Sequence, residues 1–378
     1  MARLKELHRF GQSPWLDGVE RDLLLSGRLK QLIDEAGITG VAIEPAVLEK
    51  SVSNNSTYDA EIERLAKQGL AAQQIYEELA VWDAVKAADL LLETYQSNAG
   101  HDGFVSIGIR PDLANDAEQT VAEAKRLYTK IGRANIMIKV PATSAGIEAT
   151  RRLTELGLNV NVTLIFSQAQ YTASAEAYIR GIEERLERGA VVDRINSAAG
   201  FFISFIDLYI DRNLNDLMIR ESDETRRQEQ ERLLGRAAVA QAKVIYAQYK
   251  TLFHAPQFLR LRDKGANIQR MMLSSTSTKN PEYSDVKYVE ELIGNGTVSV
   301  MSQKTMTAFN DHGRVAETLN QDFSEAKRIL ASLKEFGISS EDICQRVGEA
   351  VYAIQDDALQ ALIGSYNRTV RSIDKKCQ

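Results

Sequence analysis

A lysine stands in an apolar segment that has no structural need of one. Lys139 lies inside Asn135–Val140 (NIMIKV), among Ile136, Met137, Ile138, Val140 and Pro141. In an extended segment Met137 and Lys139 share one face, and Ile136, Ile138 and Val140 share the other. Such an amine either snorkels to solvent or is held inside the fold. Held inside, it loses hydration, its pKa falls, and more of it is neutral and nucleophilic. A neutral amine adds to a ketone or aldehyde and forms a Schiff base, whose iminium draws electrons from the adjacent C–C bond. Dehydrating the carbinolamine on the way requires a neighbouring group that gives and takes protons.

Other chemistry-bearing residues form no comparable pattern. His8, His101, His254 and His312 are scattered and lack metal-ligand spacing. His312, in FNDHGR, reads as a solvated loop histidine. Ser197 and Ser204 have no evident His–Asp partners, which argues against a serine triad. There is no Walker A or GxGxxG pattern. The cysteines, Cys344 and Cys377, form no CxxC pair, which excludes a cysteine zinc site and fits a reduced, cytoplasmic setting. The expectation is therefore chemistry with no cofactor and no metal.

The positioning elements are legible as an alternation. Short, nearly continuous apolar runs occur at Trp15–Asp17, Ile38–Glu44, Phe104–Ile109, Asn135–Val140, Asn159–Phe166, Ile195–Ser204, Ile268–Ser274 and Thr297–Met301. Runs of this kind suit parallel strands buried on both faces. Between them lie helical patterns. Asp116–Ile131 opens on acids and ends near Lys130, as a helix dipole prefers; Ser167–Arg185 begins on a serine cap; Gln228–Phe253 reads as one long helix. Arg220–Arg236 reads as a solvated helix face. Strands alternating with helices predict an α/β fold of (β/α)₈ type. Pro45, Pro111, Pro141 and Pro281 each fall after a strand candidate, as expected of a residue that cannot donate to the ladder. Those are the C-terminal strand ends, where such barrels build active sites. Extra helices are expected in Ser53–Thr94, Ser222–Phe253 and Glu317–Lys375.

Composition narrows the function classes. The chain has 378 residues, 44% hydrophobic and 26% charged, with a formal charge of −6. A single barrel commonly runs to about 250 residues or more, so one domain with helical additions accounts for the length. The acidic balance argues against a nucleic-acid partner. The N-terminal MARLKELHRFGQSPWLDG has no signal-peptide core, and no run of membrane-spanning length occurs.

With Lys139 comes a family resemblance. SPWLDGVERDLL, IMIKVPAT, NVNVTLIFSQAQY, AYIRGIEERL and SSTSTKNPEYSDVKYVEELIG resemble transaldolase in its longer bacterial form, over about Gly11 to Gly313. The resemblance implies one transaldolase-like barrel over 1–378, with helical insertions and a helical C-terminal extension. It implies that Lys139 forms the Schiff base and that Asp17 on the first strand is an acid/base or orienting carboxylate. It further implies that Thr163 helps hold the catalytic water, and that Ser277 and Lys279 bind the substrate phosphate.

The departures cluster at one end. Where the family has Thr-Ser-Asn-Pro, this chain has Ala42-Ile43-Glu44-Pro45, so Glu44 replaces the Asn. Gly108 stands where the family has a third-strand Glu. Gly200 and Phe205 stand where it has a Ser and a phosphate-binding Arg. Losing one guanidinium–phosphate pair forfeits ~1.5–3 kcal/mol. That weakens phosphate binding by roughly 10- to 100-fold, and the pocket is expected to be less polar and roomier. Strands lie about 4.8 Å apart, so Glu44 can reach the neighbouring strand. Glu44 is thus either a relocated acid/base or an ion-pair partner of Lys139 or Arg110. Arg110 either enters the mouth to bind an anion or forms a surface ion pair.

The leading expectation is a transaldolase-like enzyme that makes, breaks or rearranges bonds beside a carbonyl, repurposed for a less phosphate-dependent substrate. The first alternative is ordinary transaldolase, moving a dihydroxyacetone unit between sugar phosphates. The second is a degenerate paralogue with a binding role. The partner is a small carbonyl substrate, with neither nucleic acid nor membrane, and the protein is a monomer or homodimer.

Overall fold

A computed structural model describes residues 2–338 and 353–377. Eight strands close into a barrel in chain order: β1 (Gln12–Asp17), β2 (Gly40–Ile43), β3 (Phe104–Gly108), β4 (Ile136–Pro141), β5 (Val160–Ile165), β6 (Ser197–Phe202), β7 (Arg270–Ser274) and β8 (Thr297–Met301). Every neighbouring pair is parallel, including β1 with β8. The helices that matter below are α1 (Pro45–Asn54), α2 (Ala72–Leu90), α3 (Ala117–Ile131), α4 (Ser144–Leu156), α5 (Gln168–Glu187), α6 (Ile203–Arg220), α7 (Glu224–Glu231), α8 (Ala237–Phe253), α9 (Gln303–His312) and α10 (Ala353–Cys377). No described helix is long and apolar enough to cross a membrane.

The strands are buried on both faces, which is why they read as continuous apolar runs. Outward side chains such as Val41, Ile107, Ile138 and Val162 join the large core under the helices. Inward ones form a second cluster with Trp15, Met137, Ala198, Met272, Val298 and Val300. Trp15 fills the floor at the cost of its neighbour's side chain. A Cβ on Gly40 would lie 2.1 Å from the indole, so only glycine fits there.

Below that floor a polar cluster closes the other end. Arg270 donates to Ser13 Oγ (2.7 Å) and the Thr297 carbonyl (2.6 Å), and pairs with Asp102 at 3.2 Å. Trp15 Nε1 also donates to Asp102 (3.2 Å). Every charge and polar head in this plug has a partner, as burial demands.

Two helix starts follow the sequence closely. Asp116 caps α3 by accepting from Gln119 N, and Ser167 caps α5 by accepting from Gln170 N. The long helix expected over Gln228–Phe253 is broken. α7 ends at Glu231 and α8 begins at Ala237, with Gly235 between them at φ 66°. A left-handed glycine is a common helix stop. Pro141 is the last residue of β4 rather than the first beyond it. Cys344, and positions 339–352 of the expected C-terminal helical stretch, lie outside the described residues.

Candidate active site

Period-two alternation carries the inward face of each strand up to the C-terminal mouth of the barrel. Asp17, Glu44, Lys139, Asn161, Thr163 and Ser274 all line one cavity of about 370 Å³ there. That volume is typical of small-molecule sites. Lys139 pairs in register with Gly108 on one side and Asn161 on the other. It therefore points into the barrel, above Met137, and is not a snorkelling surface lysine.

Its ammonium donates directly to Glu44 Oε1. The two side chains are only 12% and 17% exposed, so the pair is mostly desolvated. Glu44 owes its position to Pro45, which opens α1 and leaves Glu44 in extended backbone at the helix start. Of the roles left open for Glu44, the contact with Lys139 is present. The same contact is what a proton acceptor for the attacking amine needs.

Asp17 ends β1 across the mouth. Burial pushes its carboxyl up to about 6, and the negative charge of Glu44 adds to the rise, while Lys139 and Lys279 pull against it. A carboxyl poised there can both take and give protons near neutral pH. Thr163 ends the inward row of β5, and its carbonyl accepts from Ala142 N (2.7 Å) at the end of β4. Lys279 Nζ lies 5.3 Å from the centroid of the Phe205 ring and forms no ion pair among the described residues. Phe202 and Phe205, with Phe166 behind them, make one wall of the mouth aromatic.

Ser277 and Gly200 are not placed as expected, Arg110 takes the surface ion pair left open for it, and Gly108 leaves the expected room. Ser277 Oγ bonds to Ser302 Oγ (3.0 Å) and Thr305 Oγ1 (2.6 Å), holding the start of α9 instead of lining the cavity. Arg110 is not brought to the mouth. It pairs with Asp112 at 2.6 Å and borders a neighbouring cavity of about 180 Å³ that shares Glu44 with the mouth and also touches Tyr76, Gly108 and Tyr366. Gly200 does not widen the cavity, because Ser274 Oγ and the Val162 carbonyl already stand 3.2 Å from where its Cβ would be. Gly108 does leave room: an added Cβ meets nothing within 4 Å.

Some lining residues escaped the sequence reading. Asn161 is 2% exposed and donates to Ser106 Oγ (2.9 Å), while its Oδ1 has no partner among the described residues. Spacing could have found it, since Asn161 and Thr163 are two apart in one strand. Ser275, left-handed at φ 55°, and Ser302, the cap of α9, also line the cavity. Nothing local in the sequence marks either. Among the described residues no cluster of His, Cys, Asp and Glu could hold a metal ion.

The arrangement can therefore form an imine on Lys139, move protons through two carboxylates and hold a polar substrate against Asn161 and Thr163. The chain is similar to known proteins over nearly its whole length. The sequence model of the family described as Transaldolase/Fructose-6-phosphate aldolase matches residues 14–365. "Transaldolase 2" of Nostoc sp. is 39% identical over 371 residues, covering 98% of this chain and 95% of that protein. "Transaldolase" of Trichodesmium erythraeum is 38% identical over 373 residues, covering 99% and 97%. "Transaldolase" of Neisseria gonorrhoeae is 39% identical over 363 residues, covering 96% and 99%.

Proposed function

The chain belongs to the transaldolase/fructose-6-phosphate aldolase family of Schiff-base-forming enzymes, and we propose that it catalyses ordinary transaldolase transfer. A dihydroxyacetone unit moves from a ketose phosphate to an aldose phosphate through an imine on Lys139. The observation that carries this reading is the inward, desolvated Lys139 in contact with one carboxylate, with a second, Asp17, lining the same cavity. The similarity of the Nostoc and Neisseria transaldolases over nearly their whole length supports the ordinary reaction ahead of the altered-substrate expectation.

In this reading Glu44 accepts a proton from Lys139 as the amine adds to the ketose carbonyl. A second proton of that nitrogen passes to the former carbonyl oxygen to give the neutral carbinolamine, and Glu44 then gives its proton to the carbinolamine hydroxyl, which leaves as water. Asp17 then takes the proton of the hydroxyl on the carbon beyond the bond to be cleaved. The C–C electrons flow into the iminium, the aldose phosphate departs, and an enamine remains on Lys139. The enamine attacks the acceptor aldehyde, Asp17 returns its proton, and water held near Thr163 hydrolyses the product imine. Lys279 holds the phosphate as a single point charge, without the planar fork of an arginine.

The aromatic wall of Phe202 and Phe205 favours a second reading, in which the transferred unit or its acceptor carries no phosphate. Turnover assays separate the two. Fructose 6-phosphate with a four-carbon aldose phosphate is expected to give acceptor-dependent release of a triose phosphate. Phe205→Arg is expected to lower KM for the phosphorylated donor about 10-fold. Turnover with unphosphorylated aldehydes alone, and none with the phosphorylated pair, would replace the first reading by the second.

A further inference from the structure

The first turn of the C-terminal helix α10 is fastened to the residue after β4, to the end of β5 and to α6, which follows β6. Gln355 Nε2 donates to the Ala142 carbonyl at 2.9 Å and to the Leu164 carbonyl at 3.1 Å. Asp357 accepts from Tyr209 OH of α6 at 2.5 Å. Ile354 beside them is 1% exposed, so this turn is anchored and not lying loosely on the barrel. Ala142 is three residues beyond Lys139, and Leu164 directly follows Thr163.

Leu164 is an unusual place to receive a hydrogen bond. The β5–β6 pairing slips between Val162 and Ile165, and Leu164 sits in the slip at φ 58°. A leucine is strained in that left-handed region and stays there only where surrounding contacts dictate it. Its side chain is 2% exposed, which fixes one end of the residue. The amide of Gln355 fixes the other, and the same amide holds the end of β4. Because Ala142 N also binds the Thr163 carbonyl, the strand ends carrying Lys139 and Thr163 are clamped together from a distant part of the sequence.

We propose that Gln355 is a positioning residue for the imine chemistry, setting Thr163 relative to Lys139 by holding the bulge at Leu164; this rests on the Lys139 reading above. Gln355 touches no substrate and acts through Thr163. Displacing a positioned group by about 1 Å can cost about 100-fold in rate.

The test compares Gln355→Met, which keeps the length and loses the donor, with Tyr209→Phe, which loosens the same helix turn without touching the bulge. Hydrogen exchange in the peptide covering 160–166 needs no substrate. It is expected to speed up about 10-fold or more in Gln355→Met and to stay within about 2-fold in Tyr209→Phe. Borohydride trapping with fructose 6-phosphate reads the catalytic consequence. The adduct is expected to form about 10-fold or more slowly in Gln355→Met, with kcat falling and KM held within about 2-fold, while Tyr209→Phe traps like wild type. Unchanged exchange in Gln355→Met, or equal losses in both variants, would overturn the proposal. Faster exchange with wild-type trapping would reduce the clamp to a structural role and also overturn it. Wild-type protein that traps nothing would overturn the Lys139 reading itself, an outcome distinct from equal trapping by wild type and Gln355→Met.

Discussion

Two carboxylates stand near one amine at the mouth: Glu44 accepts from Lys139, and Asp17 feels its charge. Asp17 titrates at about 6 in the folded protein, against 3.8 for an ordinary aspartate. Folding therefore favours the protonated form. The resulting stability is fully present below about pH 4 and is lost as pH rises through about 6. Asp17→Asn should accordingly raise Tm at about pH 8, and the gain should shrink to nothing near pH 4. The same variant should abolish the acid limb of the rate profile, which wild type is expected to show below about pH 6. A Tm difference that does not change with pH would contradict the carboxyl's placement. Glu44 is tested by its amide. Glu44→Gln cannot take the proton of Lys139, and single-turnover imine formation should slow by about 100-fold. An unchanged rate would leave Glu44 as an ion-pair partner and nothing more.

Elements were legible where one local rule dominates. Parallel strands in a closed barrel are buried on both faces, so ITGVAIE and NVNVTLIF stand out without knowledge of their partners. Caps such as Asp116 and Ser167 act within four residues and were equally readable. The break between α7 and α8 was missed because the charged and apolar periodicity runs through it, although Gly235 carried the signal. Its positive φ lets its N–H donate to Asp211 (2.8 Å), which also accepts from Tyr283 OH (2.7 Å). A Cβ there would come within 2.6 Å of the Tyr283 ring. Gly235→Ala should cost about 2 kcal/mol and lower Tm by roughly 2–3 °C. An unchanged Tm would mean that the turn relaxes freely. Ser277 and Gln355 were not legible, because their partners are chosen by tertiary placement, whereas Arg110 took the surface ion pair that its sequence had left open. Ser277 turned to Ser302 and Thr305, Arg110 to Asp112, and Gln355 reaches back 191 residues to Leu164.

At the scale of the whole molecule the two ends of the barrel differ in kind. The floor is closed by Trp15 and sealed beneath by the Arg270–Asp102 cluster, in which the polar groups satisfy one another. Among the described residues the mouth keeps what a finished core would remove: an unpartnered Asn161 oxygen, a lysine without an ion pair at 279 and a desolvated Lys139–Glu44 contact. The sequence alone placed Lys139 as an anomaly near a C-terminal strand end but left open which face of the strand points inward. Parity supplied that once the strands closed, since the inward row from Trp15 to Asp17 and from Met137 to Lys139 rises from floor to mouth. Borohydride reduction in the presence of fructose 6-phosphate, read by intact mass and peptide mapping, tests the central claim most directly. A reduced three-carbon adduct on the peptide carrying Lys139, absent from Lys139→Met, is the predicted result. Intact wild-type protein that gains no mass with this or any simple ketone or aldehyde would contradict the account.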